Sequence, residues 1–239
     1  MTTILKQTVT CRSLSTRFTQ LEFPGINHAA AVWLVNLTQP KNDAELDILS
    51  PQEWATATRF VQDLHRRRYV NAHCALRDIL SSTIGQPARS LEFANGPHGK
   101  PFLINHQDCA FNLSHSGDWG VVAIGHDPHL QSIGVDIEVM RNIDNLNDLA
   151  CEVLTPAEVA ELQRVGQEQK VATFLHGWVR KESVLKALGT GLSLSPKLVH
   201  AGLEANPAKV IVRTSEGLNS IDLHSTYHPS GFSVAVALI

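Results

Sequence analysis

Apolar and polar residues follow one another along this chain in a pattern that predicts alternating strands and helices. Short apolar runs predict strands at Ala29–Leu37, Phe111–Leu113, Trp119–Gly125, Ile133–Met140 and Gly231–Ile239. Apolar residues at helical spacing, with capping residues before them or a glycine after them, predict helices at Asp43–Leu49, Pro51–Leu64 and Leu64–Ile84, from Thr155 onward and at Gln167–Leu188. The order strand, helices, strands therefore occurs twice.

The two occurrences are separated by a short segment that interrupts regular structure. Asp127 and Pro128 begin it, and a strand starts again after Ser132. We therefore predict an α+β fold of two similar halves, residues 1–131 and 132–239. We expect the active site between them, because pockets form preferentially at such interfaces.

Composition excludes several classes of protein. The chain has 239 residues, of which 43% are hydrophobic and 18% charged, so it has enough apolar residues to bury a core and is not disordered. A formal net charge of −3 argues against sequence-independent nucleic-acid binding, which relies on excess Lys and Arg. No apolar run approaches the roughly 18 residues that span a bilayer, so we expect no membrane insertion.

The cysteines and the first residues bear on the compartment. Cys11, Cys74, Cys109 and Cys151 are scattered and form no C-x-x-C pair, which favours neither a zinc site nor a disulfide scaffold and predicts a cytoplasmic protein. No acidic residue precedes Glu22, a composition that fits a transit peptide and also an ordinary first strand or arm. Both alternatives remain open at this point.

Two carboxylates share one face of the strand predicted at Ile133–Met140. Because strand side chains alternate, the apolar residues line one face, and Asp136 and Glu138 lie on the other, about 6–7 Å apart. Carboxylates at that spacing repel each other. They either face open water on a half-buried strand, or a cation or base neutralises them.

A third carboxylate, Glu182, lies on the predicted helix Gln167–Leu188. It is four residues from both Trp178 and Lys186, so it borders the buried stripe and faces Lys186. A Glu–Lys pair of this kind fits a solvated helix face. The three acids together also fit a divalent-cation site, because Mg²⁺ takes carboxylate oxygens and shares substrate phosphates.

Basic and small polar residues form a further group in the first half. It contains Arg59, Arg66, Arg67, Arg68, Arg77 and Lys100, together with the segment Asn112–Ser116 that includes Ser114 and His115. Such side chains bind phosphates, although a solvated helix face would also account for the arginines. Ser114 and His115 are adjacent in an extended segment and lack a G-x-S-x-G context, so we do not expect a hydrolase dyad.

Several short motifs in this order resemble the Sfp-type 4′-phosphopantetheinyl transferase family. They are Arg59-Phe60 before the Arg-rich helix, Gly99–Pro101 (GKP), Phe111–Ser116 (FNLSHS), Gly134–Glu138 (GVDIE) and Trp178–Lys186 (WVRKESVLK). About 40 residues separate the last two, as in the family. The resemblance extends from Arg59 to Gly191.

The resemblance implies a reaction, a fold and a site. Such enzymes transfer the 4′-phosphopantetheine arm of coenzyme A to a serine of an apo acyl, peptidyl or polyketide carrier protein and release 3′,5′-ADP. The fold is a pseudo-dimer of two α+β halves, which implies a monomer. The implied metal ligands, for Mg²⁺ or Mn²⁺, are Asp136, Glu138 and Glu182. The implied catalytic residues are Glu182 and Lys186. The implied coenzyme A contacts are Arg59, Arg68 (or Arg66 or Arg67), Lys100, Ser114, His115, Asp136 and Lys186.

Some alternatives stay open. Glu182 is either the base that removes the serine proton or only a metal ligand. A Mg²⁺-dependent phosphohydrolase with the same acids, and a non-catalytic coenzyme A-binding module, are alternative functions. The carrier protein is not identified. We expect it to dock on the helix after Thr155, through Val159 and Leu162.

Overall fold

A computed structural model of the chain describes residues 17–26, 29–125, 127–215 and 217–239, with Leu192 described by its backbone alone. The first 16 residues, including Cys11, lie outside the described residues, and with them most of the segment that fits either a transit peptide or an ordinary first strand or arm. The described strands are β1 (Thr19–Leu21), β2 (Ala30–Asn36), β3 (Phe93–Asn95), β4 (Pro101–Leu103), β5 (Phe111–Ser116), β6 (Trp119–Gly125), β7 (Ile133–Val139), β8 (Ala208–Thr214), β9 (Gly217–His228) and β10 (Phe232–Leu238). The described α-helices are α1 (Asp43–Leu46), α2 (Pro51–Ala57), α3 (Asp63–Ile84), α4 (Leu146–Val153), α5 (Pro156–Arg164) and α6 (Gln167–Leu188).

These strands form two four-stranded antiparallel sheets and one hairpin. The first sheet has the order β1-β2-β6-β5, the second has the order β7-β10-β9-β8, and β3 pairs with β4. Each four-stranded sheet is accompanied by a helix of 22 residues, α3 in the first half and α6 in the second. The prediction of an α+β fold with two similar halves is confirmed.

The core is arranged in layers, with the two sheets facing each other between the two long helices. In β2, Trp33 and Val35 pack in the cluster that contains α3, whereas Val32 and Leu34 pack against residues of β7 and β10. The other face of the second sheet packs against α6. Alternation along strands thus decides which residues meet a helix and which meet the other sheet.

The predicted element boundaries are mostly confirmed, although the helix predicted at Asp43–Leu49 ends at Leu46. Ser50 and Thr155 cap α2 and α5, each in a reciprocal capping box with a glutamate three residues later. The helix predicted at Pro51–Leu64 is wrong in length, because α2 ends at Ala57 and the chain leaves the helix until α3 begins at Asp63. No helix within the described ranges is both long and apolar enough to cross a membrane.

The docking face predicted on α5 is wrong. Leu162 is buried, with only 3% of its surface exposed, and it packs against residues of α6 such as Phe174. Val159 is half-buried against the same cluster. The spacing of these residues indicated an apolar face correctly, but that face is covered by the protein's own helix.

Candidate active site

Strands β5 and β7 come from different halves and different sheets, and they meet along a row of polar side chains. Every second residue of β5 forms a side-chain hydrogen bond to β7. Asn112 Oδ1 accepts from Val135 N (2.9 Å), and Ser114 Oγ donates to Asp136 Oδ1 (2.7 Å). Ser116 Oγ donates to Glu138 Oε2 (2.7 Å) and accepts from Val139 N (3.2 Å). Two of the predicted site carboxylates, Asp136 and Glu138, therefore lie at the junction of the two halves.

Helix α6 lies across β7 at Gly134. A Cβ atom at this position would come within 2.1 Å of the Ser183 carbonyl oxygen and 2.3 Å of the Ala187 amide nitrogen. Only a residue without a side chain allows such an approach of helix and strand. This approach brings Glu182 and Lys186, which precede those two contact residues, to the carboxylates of β7.

Asp136 is the centre of the group. Only 5% of the residue is exposed, so the solvated-face alternative is wrong for this carboxylate. Lys186 Nζ lies 2.6 Å from Asp136 Oδ1 and 2.9 Å from Ser114 Oγ. Burial raises the pKa of Asp136, and the Lys186 ammonium and the Ser114 hydroxyl oppose that rise. The second oxygen, Oδ2, is buried and has no hydrogen-bond partner among the described residues.

The other two acids differ in their partners. Glu138 is half-buried, and its Oε2 accepts hydrogen bonds from Ser116 and from Arg141 Nη1 at 2.5 Å. Glu182 Oε1 is buried and has no hydrogen-bond partner within the described part of the chain. Burial, and then the negative charge of Asp136, raise the pKa of Glu182. Lys186 forms its ion pair with Asp136, so the solvated pair Glu182–Lys186 is not formed.

The donor set of this group fits a hard divalent cation. Asp136 Oδ2 and Glu182 Oε1 are buried carboxylate oxygens without partners, which is costly unless a cation or proton satisfies them. Within the described residues, no three His, Cys, Asp or Glu side chains already converge on one point.

Lys100 follows the turn that joins β3 to β4 and reaches the second half. Its ammonium donates to Ser132 Oγ (2.5 Å) and to the carbonyl oxygens of Ile133 (2.9 Å) and Ala187 (3.2 Å). Burial lowers the pKa of Lys100 to about 8. The residue lines a cleft of about 530 Å³ between the halves, a volume in the range of small-molecule sites.

The remaining predicted contacts lie outside the group around Asp136. His115 points to the opposite face of β5 from Ser114 and is exposed. Arg68 donates two hydrogen bonds to Asp118 Oδ1, at 2.6 and 3.0 Å. Arg59 is exposed and forms no side-chain hydrogen bond or ion pair within the described ranges.

Comparison with known proteins decides the family. The sequence model of the 4′-phosphopantetheinyl transferase superfamily matches residues 132–237, and that of the 4′-phosphopantetheinyl transferase N-terminal domain matches residues 36–126. The 4′-phosphopantetheinyl transferase HetI of Nostoc sp. is 32% identical over 75% of this chain and 76% of its own length. The chain belongs to the 4′-phosphopantetheinyl transferase superfamily.

The resemblance to Sfp-type transferases is confirmed by further relatives. The 4′-phosphopantetheinyl transferase Sfp of Bacillus subtilis is 28% identical over 66% of this chain and 68% of its own. A second 4′-phosphopantetheinyl transferase of Bacillus subtilis is 30% identical over the same shares of the two chains. The chain is therefore an enzyme of this transferase class.

Other charged residues in the motifs of this phosphopantetheinyl transferase are structural. Arg77, grouped with the phosphate-binding arginines from the sequence, is buried and pairs with Glu53 at 2.8 Å, so that interpretation is wrong. In the WVRKE motif, Arg180 and Lys181 are buried and donate to backbone carbonyls of residues 196–206. Sequence reasoning missed them, because position on a helix face alone does not reveal a buried charge with backbone acceptors.

Proposed function

We propose that this chain transfers the 4′-phosphopantetheine arm of coenzyme A to a serine of an apo carrier protein and releases 3′,5′-ADP, with dependence on Mg²⁺ or Mn²⁺. The observation that carries the proposal is a pair of carboxylates, Asp136 and Glu182, each with one buried oxygen that lacks a hydrogen-bond partner among the described residues, beside the ammonium of Lys186. Simple binding of coenzyme A does not require buried acids and a lysine at one point.

Asp136, Glu138 and Glu182 would hold the cation. When bound, the cation neutralises charge on the pyrophosphate oxygens and on the departing group. Ser116 and Arg141 orient Glu138, and Ser114 and Lys186 orient Asp136. The Lys186 ammonium is the only side-chain cation bonded to Asp136 in the described residues, and it would stabilise negative charge that develops on the departing 3′,5′-ADP.

The coenzyme A contacts are proposed on the first half and the carboxylates on the second. Lys100 in the cleft, Ser114 and His115 on β5, and the arginines Arg59 and Arg68 would meet the phosphates and the adenosine end. Asp136 and Lys186 would meet the pyrophosphate from the second half. This division corresponds to the proposed boundary between residues 1–131 and 132–239. Since one chain supplies both sides, we further propose that the protein acts as a monomer. We also propose that it acts in the cytoplasm.

The serine proton must leave as the hydroxyl oxygen attacks the phosphate. We assign this role to Glu182, because it is half-buried, its Oε1 has no hydrogen-bond partner among the described residues, and its pKa is raised. The variant Glu182→Gln distinguishes the role of general base from the role of metal ligand, because an amide oxygen still binds a cation but accepts no proton. Loss of turnover at an unchanged half-saturating Mg²⁺ concentration indicates a base, whereas a higher half-saturating concentration indicates a ligand.

Intact-mass spectrometry tests the whole proposal. Apo forms of a fatty-acid acyl carrier protein, a peptidyl carrier domain and a polyketide carrier domain are incubated with this chain, coenzyme A and Mg²⁺. We expect a gain of one phosphopantetheine on at least one probe, lost with EDTA and in Glu182→Gln. Glu168→Gln, an exposed glutamate of the same helix, serves as control and retains transfer.

Other outcomes contradict the proposal. Release of 3′,5′-ADP without modification of any probe indicates the phosphohydrolase alternative. Binding of coenzyme A without any product indicates the binding-module alternative.

A further inference from the structure

An exposed apolar patch lies where α2 gives way to α3. It consists of Phe60, Val61 and Leu64, which are 37%, 101% and 42% exposed, and is called the 60–64 patch here. Three large apolar side chains exposed within five residues differ from the scattered apolar residues of an ordinary surface. Phe60 and Val61 lie in the segment between α2 and α3, which exists because α2 ends at Ala57 and does not continue to Leu64 as predicted.

The patch is continuous with the candidate active site. Leu64 and Arg68 are four residues apart on α3 and therefore lie on one face, about 6 Å apart along the axis. Arg68 pairs with Asp118 at 2.6 Å, and Asp118 lies in the turn after Ser116, the residue that bonds Glu138. A partner seated on the patch would therefore extend toward the carboxylates.

The charge around the patch is opposite to that of the chain. Residues 59–68 contain four arginines, Arg59, Arg66, Arg67 and Arg68, and one acid, Asp63, so their net charge is +3 while the whole chain carries −3. Asp63 pairs with both Arg66 and Arg67. An apolar centre with a basic rim is complementary to an acidic protein surface that presents an apolar helix face.

We propose that the 60–64 patch is the surface on which the carrier protein docks. The proposal rests on the proposed function, because that reaction requires a protein substrate to reach Glu182 and Lys186. A protein is favoured over an anionic membrane, since the chain as a whole is acidic and the patch leads to the site. The patch replaces the surface on α5, which is buried.

The test replaces the exposed apolar side chains by acids. Val61→Asp with Leu64→Asp places negative charge on the patch, and an acid in the first turn of α3 is compatible with the helix, so folding is retained. We expect the KM for the carrier protein to rise about tenfold or more, with kcat unchanged. The KM for coenzyme A is measured in parallel, because residue 64 lies beside Arg68, which the proposed function assigns to coenzyme A. A rise in the KM for coenzyme A alone overturns the docking proposal. Leu218→Asp, at a residue that is 63% exposed at the start of β9, is the control and leaves all three constants unchanged.

The probes are the three apo carrier proteins named above, together with vesicles of anionic phospholipid. An unchanged carrier KM in the double variant overturns the docking proposal while transfer by the unaltered chain still supports the proposed function. If the unaltered chain modifies no probe, the proposed function fails and docking with it. Vesicle binding that is lost in the double variant, with an unchanged carrier KM, identifies a membrane surface instead.

Discussion

Lys100 is a half-buried cation without a carboxylate among its hydrogen-bond partners, so its proton is held more weakly in the folded chain. Its pKa is lowered by burial from 10.5 to about 8. Between these two pH values the unfolded chain binds the proton and the folded chain does not, so the free energy of unfolding rises with pH in that window. Lys100→Met removes this contribution.

The variant is therefore expected to differ from the unaltered chain in a pH-dependent way. The free energy of unfolding of Lys100→Met, minus that of the unaltered chain, should be largest at pH 7 and fall between about pH 8 and 10.5. Urea denaturation of both proteins at pH 7, 8, 9 and 10 measures it. A constant difference across that range would show that the ammonium is not penalised by burial.

Ser116 acts on Glu138 from the other half of the molecule. Ser116→Ala removes one of the hydrogen bonds that fix Glu138 Oε2 and leaves the Val139 amide without its acceptor. Since loss of an orienting partner weakens metal sites by about 10- to 100-fold, we expect the half-saturating Mg²⁺ concentration to rise at least about tenfold. Calorimetric titration with Mg²⁺ checks this, with Ser90→Ala, in an exposed turn, as the control. Equal Mg²⁺ affinity in both variants would contradict the role.

Residue types and spacing indicated two acids of the candidate site, because a strand fixes which side chains share a face. Asp136 and Glu138 required only that rule. The ion pair of Lys186 with Asp136 depends on how α6 crosses β7, which no local pattern encodes. Arg77 shows the same limit, since an arginine that pairs with buried Glu53 has the same sequence appearance as one on a solvated helix face.

Helix α6 is held to the rest of the second half by a buried ion pair. Lys181 Nζ lies 2.6 Å from Glu158 Oε2, and neither side chain has exposed surface. Glu158 also accepts hydrogen bonds from the amides of Ala201 and Gly202. These amides and the Lys181 ammonium together stabilise the buried carboxylate. Because α6 carries Glu182 and Lys186, this ion pair helps to fix the position of both residues in the candidate site.

Removing one partner should therefore be costly. We expect Lys181→Met to lower the free energy of unfolding by about 3–5 kcal/mol, because Glu158 is left buried without its countercharge. Lys209→Met is a matched control, since Lys209 pairs with Asp222 at the same 2.6 Å but both side chains are exposed, and its loss should be below about 1 kcal/mol. Urea denaturation compares the two, and equal losses would contradict the argument.

Elements with strong end signals were predictable, and those that depend on a neighbour were not. The capping boxes at Ser50 and Thr155 and the glycine after α6 marked helix ends that the structure confirms. Strand β1 has three residues and exists only by pairing with β2, so its sequence carries too little pattern to indicate it. Helix α4, of eight residues, was not predicted.

The two halves are joined by side chains as well as by apolar packing. Asn112 Oδ1 accepts from the buried amide of Val135, so Asn112→Ala leaves that amide without a partner and should cost about 1–3 kcal/mol of unfolding free energy. Asn36→Ala is the control, because its amide oxygen bonds Thr38 in an exposed turn and its loss should be small. If urea denaturation gives the same midpoint for both variants, the contact does not stabilise the junction.

The internal junction also predicts the oligomeric state. The inner faces of both sheets cover each other, through Val32 and Leu34 of β2 and Val135 and Ile137 of β7, so these faces offer no apolar surface to a second copy. Both sides of the proposed site belong to one chain, and none of its described residues requires a partner for its placement. We therefore expect sedimentation equilibrium to give the mass of one chain at every concentration from about 1 to about 100 micromolar. A mass of two chains that persists on dilution would mean that an outer surface, such as the 60–64 patch, joins copies of this chain. If that surface is the 60–64 patch, the double variant Val61→Asp with Leu64→Asp would restore the monomer.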